Sequence, residues 1–188
     1  MDRNLTIKNM VCPRCLTAVE AVLRQEDIPY TKVQLGLIQL PKRLHNEQLQ
    51  SLKTALHKIG FEILTDPKEH LVEKIKVTLL ELINHPDQQH IKLSVYLSET
   101  LQTGYQTLSN IFSEIERTTI EKYFIRLKIE KVKELLTYNE YSLKEIAFLL
   151  HYSSVAHLSK QFKDITKRSP SEFKMSTAQQ HRIPLDQL

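Results

Sequence analysis

Glycine is scarce in this chain: Gly36, Gly60 and Gly104 are the only three among 188 residues. A phosphate-cradling loop needs several glycines within a few positions, so nucleotide-binding folds built on such loops are excluded, and helix is favoured. Cysteine is nearly as rare. Cys12 and Cys15 are the only two, three positions apart. A bridge that local constrains the chain little, so reduced thiols and a cytoplasmic location are expected. The longest purely apolar run, Ile146 to Leu150, is far short of the roughly 20 residues that cross a bilayer, so no membrane partner is expected. Met1 to Leu5 lacks the apolar core of a secretory signal. No Ser/His/Asp arrangement and no His-Glu-x-x-His motif occurs, so the chain is not expected to be an enzyme. The charge excess is small. Net +4 permits a polyanionic partner without requiring one.

The pattern that is present changes character near Thr65-Asp-Pro-Lys68, and a chain of this length accommodates two small domains. Leu5 to Met10 alternates as a strand does. Pro13 suits the first position of a helix whose Leu16, Val19 and Leu23 share a face. Tyr30 to Leu35 alternates again, and Gly36 is the turn before Leu37 to Leu40, which predicts a tight hairpin. Asn46 can cap a second helix bearing Leu49, Leu52, Leu56 and Ile59, with Gly60 as its left-handed end. Phe61 to Leu64 closes as a strand. The order βαββαβ in about 65 residues is the ferredoxin-like arrangement.

Beyond Pro67 almost everything reads as helix. Leu71, Ile75, Leu79 and Leu82 mark an amphipathic helix ended by His85-Pro86. Ile91 to Leu101 and Tyr105 to Ile115 form a helix pair with a turn between. Thr118-Thr-Ile-Glu121 fits a capping box opening a long helix to Tyr138. Ser142-Leu-Lys-Glu145 and Ser169-Pro-Ser-Glu172 are two more such boxes. The fold class expected is therefore an α+β ferredoxin-like βαββαβ module followed by an all-α domain. The latter holds two helix-turn-helix units joined by a long helix. The expected divisions are 1–66 for the first module, 67–85 for a junction and first helix, 86–176 for the helical domain and 177–188 for a polar tail.

Residues 70–175 resemble the C-terminal DNA-binding domain of AraC/XylS-type transcription regulators. The resemblance rests on Leu97-Ser, Leu108-Ser-Asn-Ile-Phe112, Thr119-Ile-Glu-Lys-Tyr123 and Arg126-Leu-Lys-Ile-Glu-Lys-Val-Lys-Glu-Leu-Leu136. It continues through Leu143-Lys-Glu-Ile-Ala147, Leu158-Ser-Lys-Gln-Phe-Lys163 and Ser169-Pro-Ser-Glu-Phe-Lys174. Two departures stand out. His151-Tyr152 occupies the turn where the family usually has Gly-Phe, and Lys167 stands where it tends to have glycine. A non-glycine residue in a left-handed turn costs roughly 1 kcal/mol, so an altered turn geometry is expected at His151.

The resemblance implies two reading helices in successive major grooves of double-stranded promoter DNA, which lie about 34 Å apart on one face. Thr119 to Tyr138 is 20 residues, a strut of roughly 30 Å at 1.5 Å per residue. In the first reading helix, Leu108, Ile111, Phe112 and Ile115 are expected in the core. Tyr105, Gln106, Ser109 and Asn110 match DNA-contacting positions. Gln and Asn can each pair with adenine through two bonds. In the second, Val155, Leu158, Phe162 and Ile165 form the inner stripe. Ala156, His157 and Lys160 match groove-facing positions. Ser153 and Ser154 sit at the helix start, where hydroxyls and free N–H groups suit a phosphate. Lys128, Lys131 and Lys133 alternate with Glu130 and Glu134 and read as an ordinary solvated face.

Met10-Val-Cys-Pro-Arg-Cys15 is similar to the metal loop of heavy-metal-associated domains, which share the βαββαβ order. The resemblance implies Cys12 and Cys15 as ligands of Cu(I) or another soft ion, with Met10 as a core anchor. A helix N-terminus and Arg14 are expected to lower the pKa values of both thiols. A redox dithiol and a purely structural pair remain open beside metal binding, and no cofactor is required. Two function classes follow. One is a transcription regulator whose N-terminal module senses a metal, a thiol state or a small ligand, or mediates homodimerisation. The other is a metal carrier or buffer whose helical domain only mediates protein contacts.

Overall fold

The computed structural model describes residues 3–85, 91–175 and 185. Apart from Leu185, the polar tail lies outside the described residues, as does the Pro86 stop. The described chain forms two compact units, Met1–Val77 and Thr78–Leu188.

The first unit runs β1 (Asn4–Lys8), α1 (Pro13–Gln25), β2 (Lys32–Gln34), β3 (Leu37–Gln39), α2 (Asn46–Lys58) and β4 (Glu62–Ile63). The strands form one sheet in the order β2-β3-β1-β4 with every pair antiparallel. Register is set by apolar pairing: Leu5 lies opposite Ile38, Val33 opposite Ile38 on the other side, and Ile7 opposite Ile63. Val19 and Leu23 of α1 and Leu49, Leu52 and Leu56 of α2 pack with Ile7, Met10, Ile38 and Ile63 into one core. Met10 is fully buried, as its expected role as an anchor requires.

The sequence misplaces three local features. The cap of α2 is His45, with Asn46 already helical. The Gln48 side chain accepts from the His45 N–H at 3.2 Å. Ile59 ends α2 and is exposed, because the chain turns away there. The closing strand spans only two residues. Gly60 takes the expected left-handed conformation (φ 86°). Its N–H donates to His57 and that of Phe61 to Leu56, the paired bonds that satisfy carbonyls at a helix end. At Gly36 (φ 71°) a Cβ would stand 3.0 Å from Cγ2 of Val77. That contact shows where the start of α3 (Pro67–Asn84) goes: it packs back on its own unit through Gly36.

The second unit contains the rest of α3 and then α4 (Leu93–Leu101), α5 (Tyr105–Glu116), α6 (Ile120–Tyr138), α7 (Leu143–Leu149), α8 (Val155–Thr166) and α9 (Pro170–Met175). Helix α6 contributes Ile120, Tyr123, Leu127, Ile129, Val132 and Leu136 to the interior. Helices α5, α7, α8 and α9 all pack against it. Edge-to-face pairs of Phe112 with Tyr123 (5.4 Å) and Phe162 with Phe173 (5.6 Å) tie neighbouring helices together. The capping boxes at Ser142 and Ser169 form with both reciprocal bonds. The third box does not. Thr119, not Thr118, caps α6 by accepting from the Lys122 N–H, and Glu121 turns to Tyr105 instead.

Glycine scarcity leaves its mark on this unit. Gln102, Arg117, Asn139, His151 and Lys167 all carry left-handed backbone at helix ends or turns, with φ between 48° and 61°. None has the conformational freedom of glycine. The turn at His151 thus keeps the left-handed geometry that glycine would give it, rather than a different one. We expect His151→Gly to stabilise the chain by about 0.5–1 kcal/mol, the relieved strain less the added freedom of the unfolded chain. Gly36→Ala should destabilise by about 1–3 kcal/mol through the reverse effect and the Val77 contact. Thermal unfolding reads both; a loss of stability in the first or none in the second contradicts the geometry.

Candidate nucleic-acid interface

Helix α5 follows Gly104 at its N-cap and buries Leu108 and Phe112, with Ile111 and Ile115 partly covered. Its other side carries Gln106 and Asn110, both exposed, and Ser109, half-buried. Four positions apart, Gln106 and Asn110 lie on one face. The Gln106 amide nitrogen donates to Asn110 Oδ1 at 2.9 Å. That bond orients both amides and leaves each with a further donor. Tyr105 is half-buried, and its hydroxyl donates to Glu121 at the start of α6. Burial and then the neighbouring carboxylate push the phenol well above its usual range, and the hydrogen bond holds Glu121 below its own. Tyr105 therefore fastens α5 to α6.

Helix α8 is capped by Ser154, whose hydroxyl accepts from the His157 N–H at 3.0 Å. Leu158 and Phe162 are fully buried. Ser153, Ser154, Ala156, His157 and Lys160 are all exposed. The Ser153 hydroxyl lies 3.0 Å from His157 Nδ1, which fixes the ring and leaves Nε2 as its second polar edge. Ile165, expected in the inner stripe, is exposed instead. It lies one residue before the end of α8, where the chain departs through Lys167.

The sequence reading of α6 as a solvated charged face is overturned. Glu130 and Lys133 are both buried and paired at 2.6 Å, and Lys131 meets Glu134 at 3.1 Å. The apolar rows of α6 already serve several helices, so the charged positions between them are covered too. Lys128 is half-buried. Its ammonium stands 5.5 Å from the Phe124 ring centre and 4.9 Å from that of Tyr152. Burial pulls its pKa down to about 8.

Tyr152 is the residue that sequence reasoning missed. Its hydroxyl donates to Gln161 Oε1 at 2.7 Å, its ring meets His157 edge-on at 5.4 Å, and burial pushes its phenol up. The Phe124 to Lys128 spacing is a helical neighbour pair and is visible in sequence. The approach of Tyr152 is not, because it lies 24 positions beyond Lys128, on the far side of α7.

Cys12 caps α1 with extended backbone, and Cys15 lies in its first turn. The sulfur atoms are 3.4 Å apart, and both residues are half-buried. Burial pushes the Cys15 thiol up, contrary to the lowering expected from the helix N-terminus and Arg14. Desolvation outweighs the backbone N–H bonds there because Cys15 also packs against the core. Among the described residues no group of three or more His, Cys, Asp or Glu side chains gathers as a metal site. Among the described residues no helix is long and apolar enough to cross a membrane.

Residues 97–176 match the model of a helix-turn-helix domain family. Over 116 residues the chain is 27% identical to the xylose operon regulatory protein of Haemophilus influenzae. That stretch is 62% of this chain and 28% of the relative, so the chain spans under a third of the relative's length. A solved DNA-binding transcriptional dual regulator from Escherichia coli K-12 superposes with a TM-score of 0.48 at 19% identity. The match covers 56% of this chain and 93% of that one.

The Lys128 environment yields a pH prediction. A lysine that loses its proton more readily when folded destabilises the fold while charged. That cost is present below about pH 8 and is relieved as the pH rises toward the unfolded value of about 10.4. Denaturant unfolding at about pH 7 and about pH 9.5 should therefore show a stability difference that shifts in favour of the higher pH in the native chain relative to Lys128→Met. Identical pH dependence in the two would refute the burial of this charge.

Proposed function

We propose that this chain, whose residues 97–176 match a helix-turn-helix domain family, is a sequence-specific, DNA-binding transcription regulator of the AraC type. Helices α5 and α8 read successive major grooves of a promoter duplex. The observation that carries the reading is that each of these helices buries one apolar stripe, leaves a short polar face exposed, and packs against the same continuous helix. Helix α6 has 19 residues, or roughly 28 Å, close to the spacing of neighbouring grooves.

On α5, Tyr105 holds the helix, while Gln106, Ser109 and Asn110 address bases or phosphate. On α8, Ala156 meets a thymine methyl, His157 and Lys160 reach base edges or phosphate, and Ser153 and Ser154 meet the backbone at the helix start. The likeness to a transcriptional regulator supports a cytoplasmic location.

The first unit is read as a ferredoxin-like module, which its element order and its β2-β3-β1-β4 sheet support. Sulfur atoms 3.4 Å apart at a helix start support Cys12 and Cys15 as ligands of a soft ion such as Cu(I). Two thiolates leave a four-coordinate ion unsatisfied, so such a site takes a low-coordinate ion or a second pair from a homodimer partner. An effector acts only through its different affinity for two states of the regulator.

The test is selection of bound duplexes from a random pool, with and without Cu(I). Two short conserved blocks centred about 10 base pairs apart are expected, and affinity should fall steeply with added salt. Lys160→Ala and Gln106→Ala should each weaken binding to the selected site by about 1–3 kcal/mol while leaving random DNA less affected. An unenriched pool overturns the regulator reading. Unchanged thiolate–metal absorption in the Cys12→Ser, Cys15→Ser double variant overturns the metal reading.

A further inference from the structure

The first unit contains a cavity of about 610 Å³, within the range that holds small organic ligands. Residues of α2, of β1, β3 and β4, and of the first two turns of α3 enclose it. Its composition is one-sided. Leu37, Leu49 and Leu64 give it an apolar wall, and Lys53, His70 and Lys74 give it basic groups. Among the described residues that line it, none is acidic. Thr6 and Thr65 add hydroxyls, and Thr6 is itself buried.

A second observation points the same way. The Nε2 atom of His70 is buried with no hydrogen-bond partner among the described residues. A buried polar atom left unsatisfied costs about 1–3 kcal/mol, so an occupant of the cavity that pairs with it is favoured. The cysteine pair lies outside this cavity and takes no part in it.

We infer that the cavity between the sheet and the start of α3 is a binding site for a small organic anion with an apolar body, such as a medium-chain or aromatic carboxylate. The apolar tail lies against Leu37, Leu49 and Leu64. The carboxylate meets Lys53 and Lys74 and accepts from the Nε2–H of His70. An ionised acceptor makes bonds roughly twice as strong as a neutral one, so the charge of the ligand decides its affinity more than its length does. The site is distinct from the proposed DNA-reading helices and does not rest on them.

The test uses the full chain and three probes of equal length: octanoate, octan-1-ol and octylammonium. Binding is followed by calorimetry, and the location by amide chemical-shift changes in the protein alone. Octanoate is expected to bind at least about tenfold more tightly than either other probe, or about 1.4 kcal/mol. Its largest shifts should fall at Thr6, Leu37, Thr65 and His70. Lys53→Met with Lys74→Met removes surface charge without touching the core and should abolish the preference for octanoate. His70→Gln, which keeps a donor, should retain part of it.

Equal affinity for the three probes overturns the inference, and so do shifts confined to another surface or unchanged selectivity in the lysine double variant. Because the readout contains no DNA, a failure here leaves the regulator reading intact. Failure of the pool selection likewise leaves this site standing.

Discussion

The burial of α6 is the constraint on which the second unit depends. Helices α5, α7, α8 and α9 each find their apolar partner on this one helix. No single stripe could serve them all, and α6 is accordingly covered on several sides, down to the charged Glu130 and Lys133. Each fully buried aliphatic side chain contributes on the order of 1.5–3 kcal/mol. The buried ion pair adds little net stability, yet losing one partner would cost about 3–5 kcal/mol by stranding the other. The helix is thus hard to alter on any face, which suits an element whose task is to hold two others in fixed positions.

Polar contacts around that support set the finer orientation. Tyr105 fastens α5 through Glu121, and Tyr152 links α6 to α8 through Lys128 and Gln161. In both cases a half-buried tyrosine extends its hydroxyl to one polar side chain. Burial removes competing water and strengthens the bond, and the same burial drives the phenols up and Lys128 down. Cys15 obeys the same rule in the first unit. Packing against the core outweighs the favourable field of a helix start.

Backbone strain is distributed rather than avoided. Five helix ends or turns of the second unit adopt left-handed backbone without glycine, while Gly60 closes α2 with both end bonds made. Packing fixes where each helix must stop, and the local penalty of roughly 1 kcal/mol is small beside the burial it secures. At Gly36 the reverse holds: the backbone is left-handed, and α3 approaches so closely that a Cβ would crowd Val77.

Helix identity, the serine capping boxes at Ser142 and Ser169, the left-handed turn at Gly60 and the apolar stripes of α5 and α8 are all legible in the sequence. They depend on neighbours within a few positions. The exposed polar residues from Gln106 to Asn110 and from Ser153 to Lys160 are legible for the same reason, since a helix turns its faces at a known period. Tertiary structure decided what local spacing could not. It shifted the caps to His45 and Thr119, exposed Ile59 and Ile165, and buried the Glu130–Lys133 pair. It also brought Tyr152 onto Lys128 and folded the start of α3 over Gly36 to leave a basic-lined cavity. Each of these depends on what a distant segment places alongside, and burial is a property of the assembled layers rather than of any one helix.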